Sequence, residues 1–258
     1  MPVVEDSAAT NRRLLLDAAG GVVGAFELGE RDGQPLADIF APADGVTPEE
    51  AAAAVTDQLK GWRVAAEEPF SRLLLAGGAR PLRHAHVMSR DLTRNPAPGE
   101  WLEPTLPAGV RLTSVDRPAI DLVPAFLAAF PSSHPDYRDI RDPEHPEQEL
   151  EELLSGSLLG PLLRCSALAI AEDGGVVGAI LINGKPGDPP FDGPWVAEVF
   201  RHPETPGLGG ALLKRALAIA TRDRLPAVGL AVTHTNPAIA TYAAHGFADV
   251  LNVLNVEV

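Results

Sequence analysis

A glycine-rich loop at the start of a helical pattern is the feature of this sequence that most directly suggests ligand chemistry. Residues 203–210 read Pro-Glu-Thr-Pro-Gly-Leu-Gly-Gly, and apolar residues follow at helical spacing, at Leu212, Leu213 and Leu217. Glycines at a helix start let the backbone approach an anion, which the unpaired N–H groups and the helix dipole attract. The pattern predicts a cradle for a pyrophosphate.

Such a loop also occurs purely for helix packing, and two common nucleotide-binding motifs do not match it. The lysine and hydroxyl of a P-loop do not follow the glycines, because Ala211 and Leu212 stand there. The third glycine of a dinucleotide-binding fingerprint is not at its required spacing, and the preceding strand is not the first of a β-α-β unit. Nucleotide hydrolysis and hydride transfer are therefore disfavoured.

The residues around the loop form a longer series. A strand precedes the loop at 195–200, a second strand follows its helix at 228–233, and then come Asn236, Tyr242 and the pair Gly246-Phe247. This series resembles the cofactor-binding core of the GNAT acyltransferase superfamily. The resemblance covers residues 110–258 and is strongest over 195–247. It implies a mixed α/β fold and acetyl-CoA as co-substrate.

The resemblance also implies a role for each matching residue. The backbone of Val199, Phe200 and Arg201 would pair with the pantetheine arm like an added strand. The pyrophosphate would be held by Gly207, Leu208, Gly209 and Gly210. Asn236 would contact the pantetheine or nearby backbone, or would merely cap the helix that follows it.

Two side chains are candidates for proton transfer between an attacking amine and the departing thiolate. Tyr242 would protonate the sulfur as a general acid, and Glu198 would deprotonate the amine, directly or through water. A backbone N–H on the same strand could polarise the thioester carbonyl. Alternatively, Tyr242 is a core residue and Glu198 is structural.

The loop departs from the family pattern in two ways. Glu204 stands where related proteins carry Arg or Gln, three residues before the first glycine, and the loop is about two residues short. Because a carboxylate is unfavourable near a pyrophosphate, these departures predict weakened cofactor contacts.

The chain also repeats itself, which indicates an internal duplication. Residues 20–25 and 174–179 are identical (Gly-Gly-Val-Val-Gly-Ala), residues 37–40 match 197–200, and residues 69–79 align without gaps on 237–247. In this alignment Leu74 stands opposite Tyr242, and Asp38 stands opposite Glu198. The first half therefore resembles the degenerate first copy of tandem GNAT proteins.

The predicted organisation has two GNAT-like domains. Residues 1–90 form a truncated, degenerate copy that starts at its hairpin, residues 91–108 form a linker rich in Pro and Gly, and residues 109–258 form the acetyltransferase domain. The second domain reads β-α-α-β-β-β-α-β-α-β, which predicts a mixed sheet with helices on its faces.

A polar loop at 131–148 is expected to shape the pocket of the acceptor, since the corresponding region often does so in this superfamily. Its candidate acceptor contacts are His134, Asp136 and Tyr137; the alternative is a solvated connection. No tight ligand cluster accompanies His134 and His145, so we expect no metal. His84 and His86 alternate along a strand and are predicted to lie on the surface.

Composition limits the classes of partner. The 258 residues carry a formal net charge of −14, which disfavours a nucleic-acid footprint. The single cysteine, Cys165, cannot form an internal disulfide and is expected in the core. The N-terminus does not read as a secretory signal and no apolar run reaches membrane-spanning length, which predicts a soluble, cytoplasmic protein without a membrane partner.

The leading hypothesis from sequence is an N-acetyltransferase that moves an acetyl group from acetyl-CoA to a primary amine by direct attack. The acceptor would be a small molecule or a peptide, and the protein a monomer or a homodimer. The alternatives are a non-catalytic acyl-CoA-binding or sensing module and a structural pseudo-enzyme.

Overall fold

The computed structural model describes residues 3–6, 11–31, 33–137 and 145–258. Part of the polar loop predicted at 131–148, residues 138–144, lies outside the described residues. Two compact units divide the chain: residues 1–86 with 251–258 form the first unit, and residues 87–250 form the second unit.

The first unit is built from strands, two helices and the end of the chain. Its strands are β1 (Val3–Glu5), β2 (Arg12–Leu16), β3 (Val22–Arg31), β4 (Gln34–Pro42), β5 (Arg63–Glu67) and the first part of β6 (Arg80–Asp91), and its helices are α1 (Pro48–Gln58) and α2 (Glu68–Ala76). β2 to β4 pair as antiparallel hairpins, whereas β4 and β5 are parallel. Apolar side chains from β2 to β5, α1 and α2 form one hydrophobic core in this unit.

The second unit has the element order that the sequence predicts. After a 3-10 helix (Gly99–Leu102), it comprises β7 (Arg111–Thr113), α3 (Ala119–Ala129), α4 (His145–Ser155), β8 (Ala167–Ile170), β9 (Val176–Lys185), β10 (Gly193–Arg201), α5 (Leu208–Arg222), β11 (Ala227–Thr233), α6 (Ala238–Ala244) and the start of β12 (Ala248–Glu257). Its strand order is β6-β11-β10-β9-β8-β7. The predicted α/β class with a mixed sheet is confirmed.

Both faces of the second unit's sheet are covered by helices. Along β9, Ile180 and Ile182 pack towards α5 and α6, while Ala179 and Leu181 pack towards α3 and α4. This alternation follows from the two-residue period of a strand. The site elements therefore rest on a sheet that is buried on both sides.

The unit boundaries differ from the predicted domains at 1–90 and 109–258. The end of β12 belongs to the first unit because residues 253–257 pair antiparallel with β5, from Val253↔Glu67 to Glu257↔Arg63. The predicted linker at 91–108 lies inside the second unit, where Leu92 and Ala97 join the core. Both differences arise from contacts between segments that are distant in the sequence, which no local sequence pattern can predict.

Two further observations bear on the sequence predictions. Among the described residues, no helix combines the length and apolar character needed to cross a membrane. The expectation of surface positions for the two histidines of β6 is wrong for His86, which is buried and stacks on His84 at 5.8 Å between ring centroids.

Candidate functional site

The parallel strands β10 and β11 diverge at the end where the predicted site residues lie. Their recorded pairing is Trp195↔Gly229, whereas β10 stays paired with β9 as far as Arg201↔Gly178. At this pair the Trp195 ring packs over Gly229, where an added Cβ would lie 2.7 Å from Cε3 of the ring. Beyond Trp195 this backbone edge of β10 has no ladder pair with β11.

The predicted pantetheine residues lie along this edge. The side chains of two of them pack into the core, so only their backbone is left to pair with a ligand. Phe200 is buried and packs edge-on against Phe126 at 5.4 Å, and Val199 packs against the core beneath α5. A bulge between Val196 and Glu198 shifts the register of β10 just before these residues. Bulges of this kind re-aim a strand and are frequent beside functional sites.

The start of α5 has the geometry of an anion cradle. Gly207 precedes the helix with φ of 82°, a left-handed conformation that favours glycine, and no side chain caps the helix. A Cβ on Gly207 or Gly209 would meet no atom within 4 Å, so the first turn is open. Leu208 is fully buried and anchors this turn in the core. The Leu208 N–H donates to the Thr205 carbonyl at 3.3 Å, whereas the N–H groups of Gly209 and Gly210 lack intrahelical partners at this open turn.

The loop before α5 is short, and hydrogen bonds to β9 and within the loop hold it in place. His202 N–H donates to the Val177 carbonyl at 2.7 Å, and Thr205 Oγ1 donates to the His202 carbonyl at 2.7 Å. The side chain of Glu204 is 88% exposed and 3.9 Å from His202 Nδ1. Because water screens so exposed a carboxylate, its cost to a bound anion is smaller than the sequence suggests.

Tyr242 lies in α6 and is buried, with 8% of its surface exposed. Its ring packs edge-on against Phe247 at 5.9 Å. Burial raises the pKa of the Tyr242 hydroxyl well above its usual value, and the negative charges of Asp136 and Glu198 raise it further. The phenol therefore stays protonated across the physiological pH range and can donate a proton but not accept one.

Asp136 is brought to the same place by two hydrogen bonds. Thr233, at the end of β11, donates from its hydroxyl to Asp136 Oδ1, and Asn236 Nδ2 donates to Asp136 Oδ2 at 2.5 Å. Asn236 Oδ1 meanwhile accepts the backbone N–H of Ala238 at 2.8 Å. The Asn236 amide therefore uses both of its polar atoms: the oxygen accepts the N–H of the first residue of α6, and the nitrogen holds Asp136.

The other two predicted acceptor residues are arranged differently. His134 Nδ1 accepts the backbone N–H of Asp136 at 3.1 Å, and its ring packs edge-on on Phe130 at 5.0 Å, so it supports the turn that carries Asp136. Tyr137 is 43% exposed. The structure therefore fixes Asp136 at the end of β11, where its charge, like that of Glu198, acts on the Tyr242 hydroxyl. His134 supports the turn of Asp136 from within, and Tyr137 is exposed.

Cys165 is buried, and burial raises the pKa of its thiol to about 12. A thiol that stays protonated is a poor nucleophile. Its place in the apolar core beside α5 agrees with the packing role expected from the sequence.

One group of residues escaped the sequence analysis because part of it lies in the predicted linker. Arg90 and Trp101 pack beside the start of α5 and the end of α6, with the guanidinium carbon of Arg90 5.1 Å from the Trp101 ring centroid. A tryptophan within a stretch otherwise rich in Pro, Gly and Glu was the available signal, since large aromatic residues are seldom left in solvent.

Comparison with solved structures gives the fold. The chain is similar to a GCN5-related N-acetyltransferase from Sphaerobacter thermophilus (19% identity, TM-score 0.58), with 95% of this chain and 79% of that one covered. It is also similar to a tandem GNAT protein from the clavulanic acid biosynthesis pathway (18%, TM-score 0.57, 95% and 81% covered) and to a GCN5-related N-acetyltransferase from Kribbella flavida (15%, TM-score 0.51, 98% and 88% covered).

Sequence comparison adds no relative: no family model matches the chain, and no curated protein matches it. The identities to the solved structures are low, and the likeness to them is one of fold over nearly the whole length. The chain therefore has the GNAT fold in a tandem arrangement.

Proposed function

We propose that the protein is an N-acetyltransferase that moves an acetyl group from acetyl-CoA to a primary amine by direct attack, with its site in the second unit. The observation that carries this proposal is the buried, protonated Tyr242 close to two carboxylates, Asp136 and Glu198, beside the gap between β10 and β11. An acid and a base of this kind are what amine acylation by a thioester requires.

The residues at the gap fit an acyl-CoA. Its pyrophosphate matches the uncapped first turn of α5, where Cβ positions at Gly207 and Gly209 point into open space. Its amide-bearing arm matches the backbone edge of Val199, Phe200 and Arg201. Bound there, the group supplies the activated acyl carbon and a thiolate leaving group.

The protein's own residues would then perform three tasks. Glu198 accepts a proton from the ammonium form of the acceptor, directly or through water, which frees the nitrogen lone pair. Backbone N–H groups beside the bulge of β10 stabilise negative charge on the acyl oxygen. Tyr242 donates its proton to the departing sulfur and regains one from the second N–H of the acylated nitrogen, directly or through water, as the tetrahedral intermediate collapses. No covalent bond to the enzyme forms.

The roles of Asn236 and Asp136 are refined by their geometry. Because Asn236 uses its amide on Ala238 and Asp136, we assign it to positioning rather than to direct side-chain contact with the donor. Asp136 belongs to the predicted acceptor loop and is bonded to Thr233 at the end of β11, where it would attract the ammonium group of the acceptor.

The similar structures support the activity at the level of their names only. Two are called GCN5-related N-acetyltransferases, and the tandem GNAT protein is described in a form without AcCoA. Extending acetyl-CoA use to this chain is part of the proposal.

The decisive experiment measures release of free CoA thiol from acetyl-CoA with a panel of primary amines. The wild-type protein should turn over with at least one amine, and Tyr242→Phe should turn over about 100-fold more slowly at unchanged acetyl-CoA affinity. Equal rates would remove the acid role. Acetyl-CoA binding without turnover on any amine would favour the alternative of an acyl-CoA-binding or sensing module.

A further inference from the structure

The α3 side of the second unit's sheet carries a row of ring side chains that the proposed proton transfers do not use. Phe126 in α3 packs edge-on against Phe200 in β10 at 5.4 Å between ring centroids, and Phe130, just after α3, packs against Phe126 at 5.1 Å. The ring of His134 lies edge-on against Phe130 at 5.0 Å. These four rings, which we name the aromatic row, run without interruption from the sheet to the loop after α3.

The inner end of the aromatic row lies beside Glu198. In the ladder between β9 and β10, Glu198 pairs with Leu181, and Phe200 pairs with Ala179. Both partners belong to the core beneath α3 and α4, and directly paired residues point to the same face of a sheet. The side chains of Glu198 and Phe200 therefore project from the α3 side, two positions apart along one strand.

The outer end of the aromatic row adjoins Asp136. His134 Nδ1 accepts the backbone N–H of Asp136 at 3.1 Å, so the last ring of the row holds the turn that carries this carboxylate. The hydroxyl of Thr233 and the amide of Asn236 hold the carboxylate itself, and both are neutral groups that leave its negative charge in place. Phe130 and His134 are half-buried, so part of each ring remains available for contact at this end.

The carboxylates at the two ends of the aromatic row act on the same hydroxyl group. The negative charges of Asp136 and Glu198 both raise the pKa of Tyr242, the residue proposed to protonate the departing sulfur. An amine that lies between the two carboxylates is therefore near the proposed acid, and the group attached to its nitrogen meets the row. Aromatic rings bind other rings edge-on or offset, and their faces also attract an ammonium group.

We infer that the acceptor is an arylalkylamine, a monoamine with an aromatic ring and no carboxylate, whose ring packs against Phe130 and His134 and whose ammonium group lies between Asp136 and Glu198. This inference rests on the proposed function, because it names the acceptor of the same reaction. The neutral amine exchanges one hydrogen for the acetyl group, and CoA leaves as its thiol. An α-amino acid would bring a third carboxylate to the site, and a diamine would place its second charge against the apolar part of the row.

The test is a comparison of amines that differ in one feature each. Release of CoA thiol from acetyl-CoA gives kcat/KM for 2-phenylethylamine, ethylamine, 1,4-diaminobutane and L-phenylalanine with the full chain. The value for 2-phenylethylamine should exceed that for ethylamine about 30-fold, because its ring is buried against the row. It should exceed that for L-phenylalanine about 100-fold, because like charges meet in a desolvated site. It should also exceed that for 1,4-diaminobutane.

Variants of Phe130 test whether the aromatic row causes the preference. Phe130→Leu should lower the ratio of kcat/KM for 2-phenylethylamine to that for ethylamine about fivefold, because a ring contact is lost, and Phe130→Tyr should keep the ratio. Phe70→Leu removes a stacked ring from the core of the first unit and is the matched control, which should leave the ratio unchanged. A loss of stability alone lowers both rates alike and does not move this ratio.

The outcomes separate this inference from the proposed function. If ethylamine, 1,4-diaminobutane or L-phenylalanine is acetylated at least as efficiently as 2-phenylethylamine, the acceptor class is overturned while acetyl transfer stands. A full ratio in Phe130→Leu would overturn the assignment of the ring to this row. If no amine causes release of CoA thiol, the proposed function falls and the inference falls with it.

Discussion

The ends of the parallel strands in the two units invite direct comparison, because the same order of strand, helix, strand and helix surrounds each. In the first unit β4 and β5 stay paired at Leu36↔Arg63, Ala37↔Val64 and Phe40↔Ala66. In the second unit the corresponding strands β10 and β11 are paired at Trp195↔Gly229 and then diverge. The parallel pairing continues in the first unit over the region where it stops in the second unit.

The helix starts differ in the same sense. Thr47 caps α1 with a complete capping box: its hydroxyl accepts the N–H of Glu50 at 3.2 Å, and Glu50 Oε2 accepts the N–H of Thr47 at 3.0 Å. Glu49 and Glu50 add negative charge to the first turn, whereas the first turn of α5 has neither a cap nor an acid. The first unit thus satisfies with its own side chains the groups that the second unit leaves for a ligand.

Phenylalanines at equivalent positions of the two units pack against helices that do not correspond to each other. Phe200 packs towards α3, while Phe40 packs towards α2 and stacks on Phe70 at 5.0 Å. The register irregularity between Ala37 and Phe40, with Ile39 at φ 48°, accompanies this difference. Leu74 stands where the second unit has Tyr242. Strand pairing, helix capping and side-chain direction together support one donor site, in the second unit.

The largest expected effect is on turnover. Tyr242→Phe should lower kcat about 100-fold, because it removes the proton donor and little volume. Leu74→Met at the equivalent position of the first unit should leave kcat unchanged and lower the free energy of unfolding by less than about 1.5 kcal/mol. A comparable loss of kcat from both variants would show that the two positions do not differ as proposed.

The next effect separates donor binding from stability. Gly209→Ala should weaken acetyl-CoA binding about tenfold, because the new methyl group enters the open cradle. It should also raise the free energy of unfolding by about 0.5 kcal/mol, since alanine favours the helix. Calorimetry and urea unfolding measure the two quantities.

A glycine before α1 gives the opposite pattern and serves as the control. Gly45 has φ of 83°, so Gly45→Ala should lower the free energy of unfolding by about 1 kcal/mol and leave donor affinity unchanged. Weakened donor binding in this variant would contradict the assignment of the cradle to the second unit.

Removing the cap of α1 probes the closed site. Thr47→Ala should lower the free energy of unfolding by about 1 kcal/mol, because it removes the hydroxyl that accepts the Glu50 N–H and donates to Glu50 Oε2. The number of acetyl-CoA molecules bound per chain should stay at one, since Phe40 and the paired strands still fill the space. A second binding event would mean that the cap alone closes the first unit.

The smallest effect concerns alkaline pH. The folded-state pKa of Tyr242 is raised above its unfolded value near 10, so the unfolded chain loses the proton first and stability falls as the pH rises through 10. Between pH 9 and 10.5 the wild-type protein should lose about 0.8 kcal/mol more than Tyr242→Phe. The Cys165 thiol, with its pKa raised to about 12, titrates alike in both proteins and cancels. If the free energy of unfolding falls equally with pH in both proteins, the pKa of Tyr242 is not raised by burial.

Local pattern was enough to predict much of this molecule. Apolar periodicity, glycine turns and the repeat predicted the element order of the second unit, including α5 and β11, and its mixed sheet. It could not predict that residues 253–257 pair with β5, because the partner lies almost 190 residues away and strand pairing has no local code.

The same limit applies to the candidate site. The sequence pointed to Tyr242, Glu198 and the glycines of α5, which belong to contiguous motifs. It could not show that Asn236 would hold Asp136, a residue 100 positions earlier, or that Trp101 would pack beside the start of α5. Both contacts join segments that are about 100 residues apart in the chain or more, and no local pattern encodes them.

The central claim, one donor site per chain and in the second unit, is tested most directly by the stoichiometry of acetyl-CoA binding. Calorimetric titration of the full chain, repeated with Gly209→Ala and Gly45→Ala, should give saturation near one equivalent and weaker binding for Gly209→Ala alone. Two equivalents would contradict the closure of the first unit. The absence of binding at millimolar acetyl-CoA would contradict the donor site itself and favour a structural pseudo-enzyme.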